Sequence, residues 1–440
     1  MHTPVLSTIR YQLQQAIQIF IIVSCRTPEG TKLNSCDVII VGAGPAGSVA
    51  AINLSEAGYH VIVVEKNGIS RNKVCGGGIT PRVLTRFPYL KNDVEATTIS
   101  KTSEVCLYSP SLNIIRSPAD CLMVERAEFD AMLTEKCRAS GAMVVSSSKV
   151  VKMKIDMEAA QVLLEDGSSL TARAIIGADG INSLTARSIG LRRKTSRSST
   201  AVCLVREVAE EPDEVMRQKT MYIFYDYGRS SGYGWVFPKK RCINVGIGVL
   251  AHGRINIKDL WKNFVAELKK KAIISDAFVH DQFESAILPA NGPLPKTYSD
   301  RVLLCGDAGG FVNSFTGEGI YYAMVSGEIA ASVLAEALKK NDLSEKTMMN
   351  YERLWKSEIG TELERAFQIS RVVLKRPDLV EKIIAVAAKK PEVKKILTDY
   401  CIGTIAYQDL KKSLIRRVLP LCARYKIEQF FNKRGINPLL

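Results

Sequence analysis

Three glycines and an acid carry the first chemistry legible in this chain. Gly42-Ala43-Gly44-Pro45-Ala46-Gly47 follows the apolar run Asp37–Val41, and Glu65 closes a second apolar run, Val61–Val64. Gly42 permits a tight turn, Gly44 lets backbone N–H groups approach a pyrophosphate, and Gly47 lets a helix pack closely on a strand. A helix that starts here and runs to about Gly58 offers unpaired N–H donors and a positive dipole end to phosphates. Glu65 is placed to accept hydrogen bonds from ribose hydroxyls. Together these residues predict a strand–turn–helix–strand unit that holds a dinucleotide. Beyond it, Arg71-Asn72-Lys73-Val74-Cys75-Gly76-Gly77-Gly78 forms a glycine-dense loop. Three consecutive glycines are costly to order and mark close backbone approach to another group. Two more acids end apolar runs beside a glycine, Asp179-Gly180 and Gly306-Asp307. Tyr233, Trp235 and Phe237 alternate within Gly232–Lys239, which puts all three on one face of a strand, as sheet core or as a cavity wall.

Positioning these groups calls for a mixed α/β (α+β) fold. Buried strands at Asp37–Val41, Val61–Val64, Ala174–Asp179 and Arg301–Asp307 predict a Rossmann-like domain. Helices follow the first fingerprint, lead from Met123–Asp130 to Gly141, and run over Ile320–Lys339. Met143–Val145, Lys149–Ile155 and Gln161–Glu165 read as strands, with Asp166-Gly167 as a hairpin turn. Glu104–Ser109 and Asn113–Arg116 read as a paired hairpin, and Val83 to Leu90 as irregular chain. Alternation in Ala201–Val208, Met221–Asp226, Tyr233–Phe237 and Cys242–Val249 predicts an inserted antiparallel sheet interrupted by a helix at Ile257–Lys271. The expected division is an N-terminal extension (1–34), a discontinuous dinucleotide-binding domain (35–199 and 291–340), a substrate-binding sheet domain (200–290) and a helical, basic C-terminal region (341–440). Within the last, Leu410, Leu414 and Val418 recur at helical spacing before Pro420.

The chain has 440 residues, 46% hydrophobic and 24% charged, the balance of an ordinary globular protein large enough for two intimately built lobes. No window offers the roughly 18 consecutive apolar residues of a spanning helix, and Ala16–Cys25 is too short for one. Eleven cysteines lie singly, with no CxxC and no Cys/His cluster of zinc spacing, so no metal site is expected and the thiols read as reduced in a cytoplasmic setting. Residues 371–440 carry 16 Lys and Arg against six Asp and Glu, most of the chain's net charge of +15. Such a segment suits anionic lipid headgroups or a diphosphate. It has few aromatics interleaved for base stacking, so nucleic acid is not expected as a partner.

The fingerprint Gly42–Gly47 with Glu65, the strand end Asp179-Gly180 and the pair Gly306-Asp307 together resemble the FAD-binding fold of the para-hydroxybenzoate hydroxylase-like superfamily. Two further motifs resemble those of the geranylgeranyl reductase family, of the digeranylgeranylglycerophospholipid reductase kind. Lys73–Gly78 is similar to that family's Cys-Gly loop. Gly232–Lys239 is similar to its YxWxFP motif, although Ser230 stands where the family usually has proline. The likeness covers roughly residues 36–340. It implies FAD contacts from Gly42, Gly44, Ala46, Gly47, Glu65, Cys75, Gly76, Gly78, Arg126, Asp307, Gly319 and Ile320, with a backbone group near Val150 on the adenine. It also implies a prenyl cavity lined by Tyr233, Trp235 and Phe237.

The activity so implied is FAD-dependent hydrogenation of isolated double bonds in geranylgeranyl chains, most simply in archaeal-type membrane ether lipids or in geranylgeranyl diphosphate. A chlorophyll side chain and a prenylquinone are further candidate substrates. An isolated trisubstituted alkene has no carbonyl to accept electrons. A proton must therefore reach one carbon as hydride approaches the other, and aromatic faces can stabilise the positive charge that develops. Cys75, Tyr233 and a flavin-bound water are the candidate proton donors. No second glycine fingerprint serves a resident nicotinamide cofactor, so the electron donor is a visiting NAD(P)H or a ferredoxin. Membrane contact, if made, would be peripheral at the cytoplasmic face. Two alternatives share the fold: an aromatic-ring monooxygenase, and a non-catalytic prenyl-lipid-binding flavoprotein.

Overall fold

The computed structural model describes residues 35–192, 199–209, 219–239, 242–251 and 256–413. The N-terminal extension with Ala16–Cys25, and Leu414, Val418 and Pro420, lie outside them.

Apolar residues occupy both faces of the strand Ser35–Val41, and both faces are buried. Val38 and Ile40 enter one core, Ile39 and Val41 another. This two-sided burial explains the continuous apolar run and marks a central parallel strand. Ser35–Val41 pairs in parallel with Val61–Val64 on one side and Ser169–Gly177 on the other. Met143–Val145 extends the sheet beyond Val61–Val64, and Val302–Leu304 extends it beyond Ser169–Gly177. The strand order therefore reverses at the first strand. Because these strands are parallel, the turns that follow Val41, Val64, Gly177 and Leu304 all emerge at one edge, where a doubly wound sheet binds its ligand. The short strand Tyr298–Ser299 caps the outer edge, and the hairpin Val150–Ile155/Ala160–Leu164 lies antiparallel against the start of Ser169–Gly177. Val150, Ala160 and Val162 from that hairpin complete the second core.

The first core is closed by helices. The fingerprint helix Pro45–Glu56 packs against both Ile320–Lys339 and Arg126–Ala139. Its approach to Ile320–Lys339 is backbone to backbone, since a Cβ at Gly327 would stand 2.2 Å from the Ala46 carbonyl oxygen.

A second sheet of seven strands runs Glu284–Pro289, Thr200–Val208, Ile243–Leu250, Gly232–Pro238, Thr220–Tyr225, Glu104–Tyr108, Ile114–Pro118. The last two strands come from residues that the expected division assigned to the dinucleotide domain. Glu104–Tyr108 joins through a parallel pairing with Thr220–Tyr225. Its alternate residues face two cores, Cys106 and Tyr108 on one side and Val105 and Leu107 on the other. The amphipathic helix Ile257–Lys270 covers one face with Leu260, Trp261, Phe264, Val265 and Leu268. Helices Thr361–Val373, Pro377–Lys389 and Pro391–Cys401 cover part of the other. The segment expected to be irregular, Val83 to Leu90, instead belongs to a short helix, Pro81–Arg86, and a single turn, Pro88–Leu90, followed by the helix Lys91–Thr97. Pro81 starts the first helix and Pro88 follows its end, so neither piece is long enough to show helical periodicity.

Gly327→Val is expected to lower the unfolding free energy by about 1–3 kcal/mol, the usual cost of overpacking, in a urea titration. An unchanged midpoint would show that the two helices can separate freely.

Candidate active site

At the shared strand edge the turn is tight. Gly42 has φ +104°, and a Cβ there would stand 2.4 Å from the Ala178 carbonyl oxygen. A Cβ at Gly47 would stand 2.0 Å from the Gly42 carbonyl oxygen. Gly44 is different: only the Arg71 guanidinium lies near, at 3.5 Å from where its Cβ would be, so the turn is open towards a cation. No side chain caps the helix that begins at Pro45, which leaves its first N–H groups for a ligand. Glu65 is 4% exposed and already accepts from the Ala43 N–H at 2.9 Å and the Asn67 N–H at 3.0 Å. Its carboxylate thus pins the glycine turn to the second strand, and it keeps lone pairs for a hydroxyl. Ser147 and Ser148 donate backbone N–H bonds to Asn67 and Glu65, which brings the segment leading to Val150 alongside this acid.

A buried carboxylate that the sequence reading passed over, Asp130, organises the cations. Arg126 grips it through Nε and Nη2, both at 2.9 Å, and Arg71 Nη1 donates to it at 2.8 Å. Arg71 also faces Glu65 at 3.5 Å. Burial opposes the charge on Arg126, but the Asp130 carboxylate outweighs it and holds the guanidinium protonated. The Val124 N–H donates to the Gly77 carbonyl, so Arg126 and the Cys-Gly loop border the same cavity.

That loop forms one wall of a cavity of about 250 Å³. Tyr233, Trp235 and Phe237 form another, in a row with ring centroids 5.8 and 6.3 Å apart. Their bulk fits because neighbours have none: a Cβ at Gly246 would stand 2.1 Å from the Trp235 ring, and one at Gly76 2.7 Å from Phe237. Trp235 Nε1 donates to Asn244 Oδ1 at 2.8 Å, and Asn244 Nδ2 donates to the Cys75 carbonyl at 3.0 Å and to Glu207 at 2.8 Å. Glu207 in turn pairs with Lys239, which is 1% exposed and lies beneath Gly77. Asn244 thus ties the aromatic strand to the loop. Its only sequence signal is a lone amide in the otherwise apolar strand Ile243–Leu250. Cys75 Sγ accepts from the Gly77 N–H at 3.4 Å.

Opposite stand Asp307 and the segment Thr316–Ile320. Asp307 sits on the turn after Val302–Leu304, 3.7 Å from Lys73 Nζ. Gly319 and Ile320 start the long helix Ile320–Lys339, which again has no side-chain cap. The Tyr233 hydroxyl donates to the Thr316 carbonyl at 2.7 Å, which joins this wall to the aromatic row. Ala46 is 5% exposed beneath the fingerprint turn and Gly78 borders the cavity. Asp179 has a local task, because it accepts from the Thr185 N–H at 2.9 Å and from the Ser183 hydroxyl and so fastens the turn before Leu184–Ser188. The final wall comes from Cys401–Gly403, at the end of the helix Pro391–Cys401. The sequence reading expected only a helical, basic region there.

Among the expected residues, Cys75, Gly76, Gly78, Arg126, Asp307, Gly319, Ile320 and the three aromatics border one cavity. Gly42, Gly44, Gly47 and Glu65 lie at the adjoining turn, and Val150 follows Ser148, whose N–H bonds to the Glu65 carbonyl. An open cradle at Gly44, two uncapped helix starts, and a cavity running from Pro45 to the aromatic row fit a flavin dinucleotide. Among the described residues there is no cluster that could hold a metal ion, and no helix is long and apolar enough to cross a membrane.

Known proteins share this fold and sequence. An FAD-binding domain family model matches residues 35–353. The digeranylgeranylglycerophospholipid reductase of Methanocaldococcus jannaschii is 32% identical over 329 residues, spanning 73% of this chain and 82% of that protein. Digeranylgeranylglycerophospholipid reductase 2 of Methanopyrus kandleri is 31% identical, over 76% of this chain and 86% of that protein. Among solved structures, a geranylgeranyl bacteriochlorophyll reductase-like protein from Thermoplasma acidophilum superposes with a TM-score of 0.73 at 24% identity, covering 87% of this chain and 96% of that one, which supports the fold. An FAD-binding protein by its fold, its turn and its relatives, the chain belongs to the digeranylgeranylglycerophospholipid reductase family.

Proposed function

We propose that this protein hydrogenates the isolated double bonds of geranylgeranyl chains in archaeal-type ether lipids. The observation that carries this reading is the aromatic row Tyr233–Trp235–Phe237, which faces Asp307 and Thr316–Ile320 across a single cavity. The relatives' names support the same substrate class.

Bound and reduced, FAD supplies the hydride. The chain's own residues hold and shape the rest. Gly42, Gly44, Ala46 and Gly47 seat the pyrophosphate, Arg71 and Arg126 balance its charge, and Glu65 and the backbone near Val150 take the adenosine end. Cys75, Gly76, Gly78, Asp307, Gly319 and Ile320 take the flavin end. The aromatic row excludes water from the reacting bond. Its faces stabilise the positive charge that grows at the more substituted carbon, each by on the order of 1 kcal/mol or more once desolvated. Electrons come from a visiting NAD(P)H or a ferredoxin. The basic C-terminal segment suits peripheral contact with the anionic lipid surface in which such a substrate resides.

The direct test is anaerobic. FAD-loaded protein reduced with dithionite and mixed with digeranylgeranylglyceryl phospholipid in detergent should reoxidise its flavin, and the lipid should gain two hydrogens per double bond. Flavin that stays reduced, or a product that carries oxygen and needs O2, would overturn the reading.

Two variants probe the parts. Trp235→Ala should lower kcat/KM for the lipid by about 10- to 100-fold through loss of wall and cation stabilisation, with FAD affinity unchanged. Equal loss of FAD would place the ring at the cofactor instead. Asp130→Asn leaves two guanidiniums without their buried partner and should cost about 3–5 kcal/mol of stability. It should also weaken FAD retention on gel filtration, whereas wild-type retention would remove Arg71 and Arg126 from the cofactor site.

A further inference from the structure

Saturating an isolated double bond takes a proton as well as a hydride, and of the candidate donors from the sequence the Tyr233 phenol is not free to supply it. The Tyr233 hydroxyl proton is committed to the Thr316 carbonyl, and burial raises that phenol well above its ordinary range. Cys75 Sγ accepts from the Gly77 N–H on the loop wall.

A carboxyl group borders the same cavity. Glu318 lies between Gly317, whose Cβ would meet the Tyr233 hydroxyl at 2.2 Å, and Gly319 at the start of the long helix. Its side chain is 12% exposed. Thr80 Oγ1 donates to Oε1 at 2.7 Å. Both carboxyl oxygens look across to Gly403, 3.1 and 3.2 Å from where a Cβ would stand, so glycine there leaves the carboxyl unobstructed. The nearest cation is Arg82, and it is already engaged. Its Nη1 and Nη2 fork onto Glu362 at 2.9 Å each, while Glu318 Oε2 stays 3.9 Å away. The Tyr322 hydroxyl adds a bond to Glu362 at 2.7 Å, and the Tyr321 ring lies 4.1 Å under the Arg82 guanidinium. Two carboxyls therefore share one guanidinium away from bulk water. Ionising both would leave a net negative charge there, so the carboxyl without the fork keeps a proton.

From this geometry, and resting on the reading above, we propose that Glu318 is the catalytic acid of the hydrogenation. The Glu318 O–H bond breaks and its proton forms a C–H bond at the less substituted alkene carbon. Hydride from reduced FAD forms the second C–H bond at the more substituted carbon, so the π bond is lost, the alkene gains two electrons and the flavin is oxidised. Glu318 is left as a carboxylate, which takes a proton from water before the next turnover. The surroundings keep its titration distinct. Burial, opposed by Arg82 and Thr80 and reinforced by Glu362, pushes the Glu318 carboxyl up to about 7. The neighbouring thiols Cys121 and Cys401 are pushed up to about 12 by burial, and Tyr322 is raised well above its ordinary range, so these stay neutral. Across the cavity Lys73 and Asp307 face each other. A group raised in this way is protonated below about pH 7 and loses its proton above it, so the reaction should slow as pH rises through that value.

The test compares wild type, E318Q and E318D. Infrared titration of flavin-free protein should show a protonated-carboxyl band that fades as pH rises through about 7 and is missing from E318Q. With FAD loaded and reduced, single-turnover reduction of the geranylgeranyl lipid should fall roughly 10²- to 10⁴-fold in E318Q. FAD content and KM should hold, the pH dependence should flatten, and E318D should recover part of the rate. Lipid reduction by E318Q at the wild-type rate, or a band unaffected by the substitution, would overturn the assignment alone. A wild-type protein that leaves the lipid unreduced would overturn both it and the function on which it rests.

Discussion

Ala46 is the point at which this structure has no slack. Its carbonyl oxygen lies where a Gly327 side chain would be, and its methyl group stands 3.1 Å from where Gly306 would place one. Two helices and the turn after Val302–Leu304 meet there with only backbone between them. That close approach aims the starts of Pro45–Glu56 and Ile320–Lys339 at one cavity. Each start brings unpaired N–H groups and the positive end of a helix dipole, which suits an anionic cofactor. A larger residue at any of these positions would tilt one helix and separate sites that must act on one molecule.

The second lobe is attached with the same economy. Asn244 uses both ends of its amide, accepting from the Trp235 ring nitrogen and donating to the Cys75 carbonyl and Glu207. Lys239 completes the set from beneath the glycine loop. A polar network of this kind fixes one arrangement, because the buried Asn244 and Lys239 would each carry the cost of an unpaired polar group if left alone. The cavity is thus the seam between two sheets, and the position of its aromatic wall relative to its glycine wall is set by hydrogen bonds.

Local signals were legible in the sequence, and long-range ones were not. The run Val38–Val41, the glycine turn, Glu65 and the helix Ile320–Lys339 announce themselves through short spacings and periodicity. Tyr233, Trp235 and Phe237 were legible as one face of a strand, though spacing alone could not separate core from cavity. Asp130, Asn244 and Glu318 gave no comparable signal, since each matters through residues far away in the chain: Arg71, Cys75 and Arg82. The parallel pairing of Glu104–Tyr108 with Thr220–Tyr225 was hidden for the same reason, as was the reach of Cys401–Gly403 into the cavity. Pro81–Arg86 was missed because six residues are too few for a period to show.

The indole of Trp235 occupies space that Gly246 gives up, with Gly248 beside it, so the bulk on one strand and the bareness of the next are a single character spread over two positions. A smaller residue at 235 would leave a hollow over naked backbone, and a side chain at 246 would evict the ring. Neither change can be taken first without loss. In descent these positions should move together or stay still, and a lineage adapting to a bulkier or slimmer chain has to find its room elsewhere along the cavity.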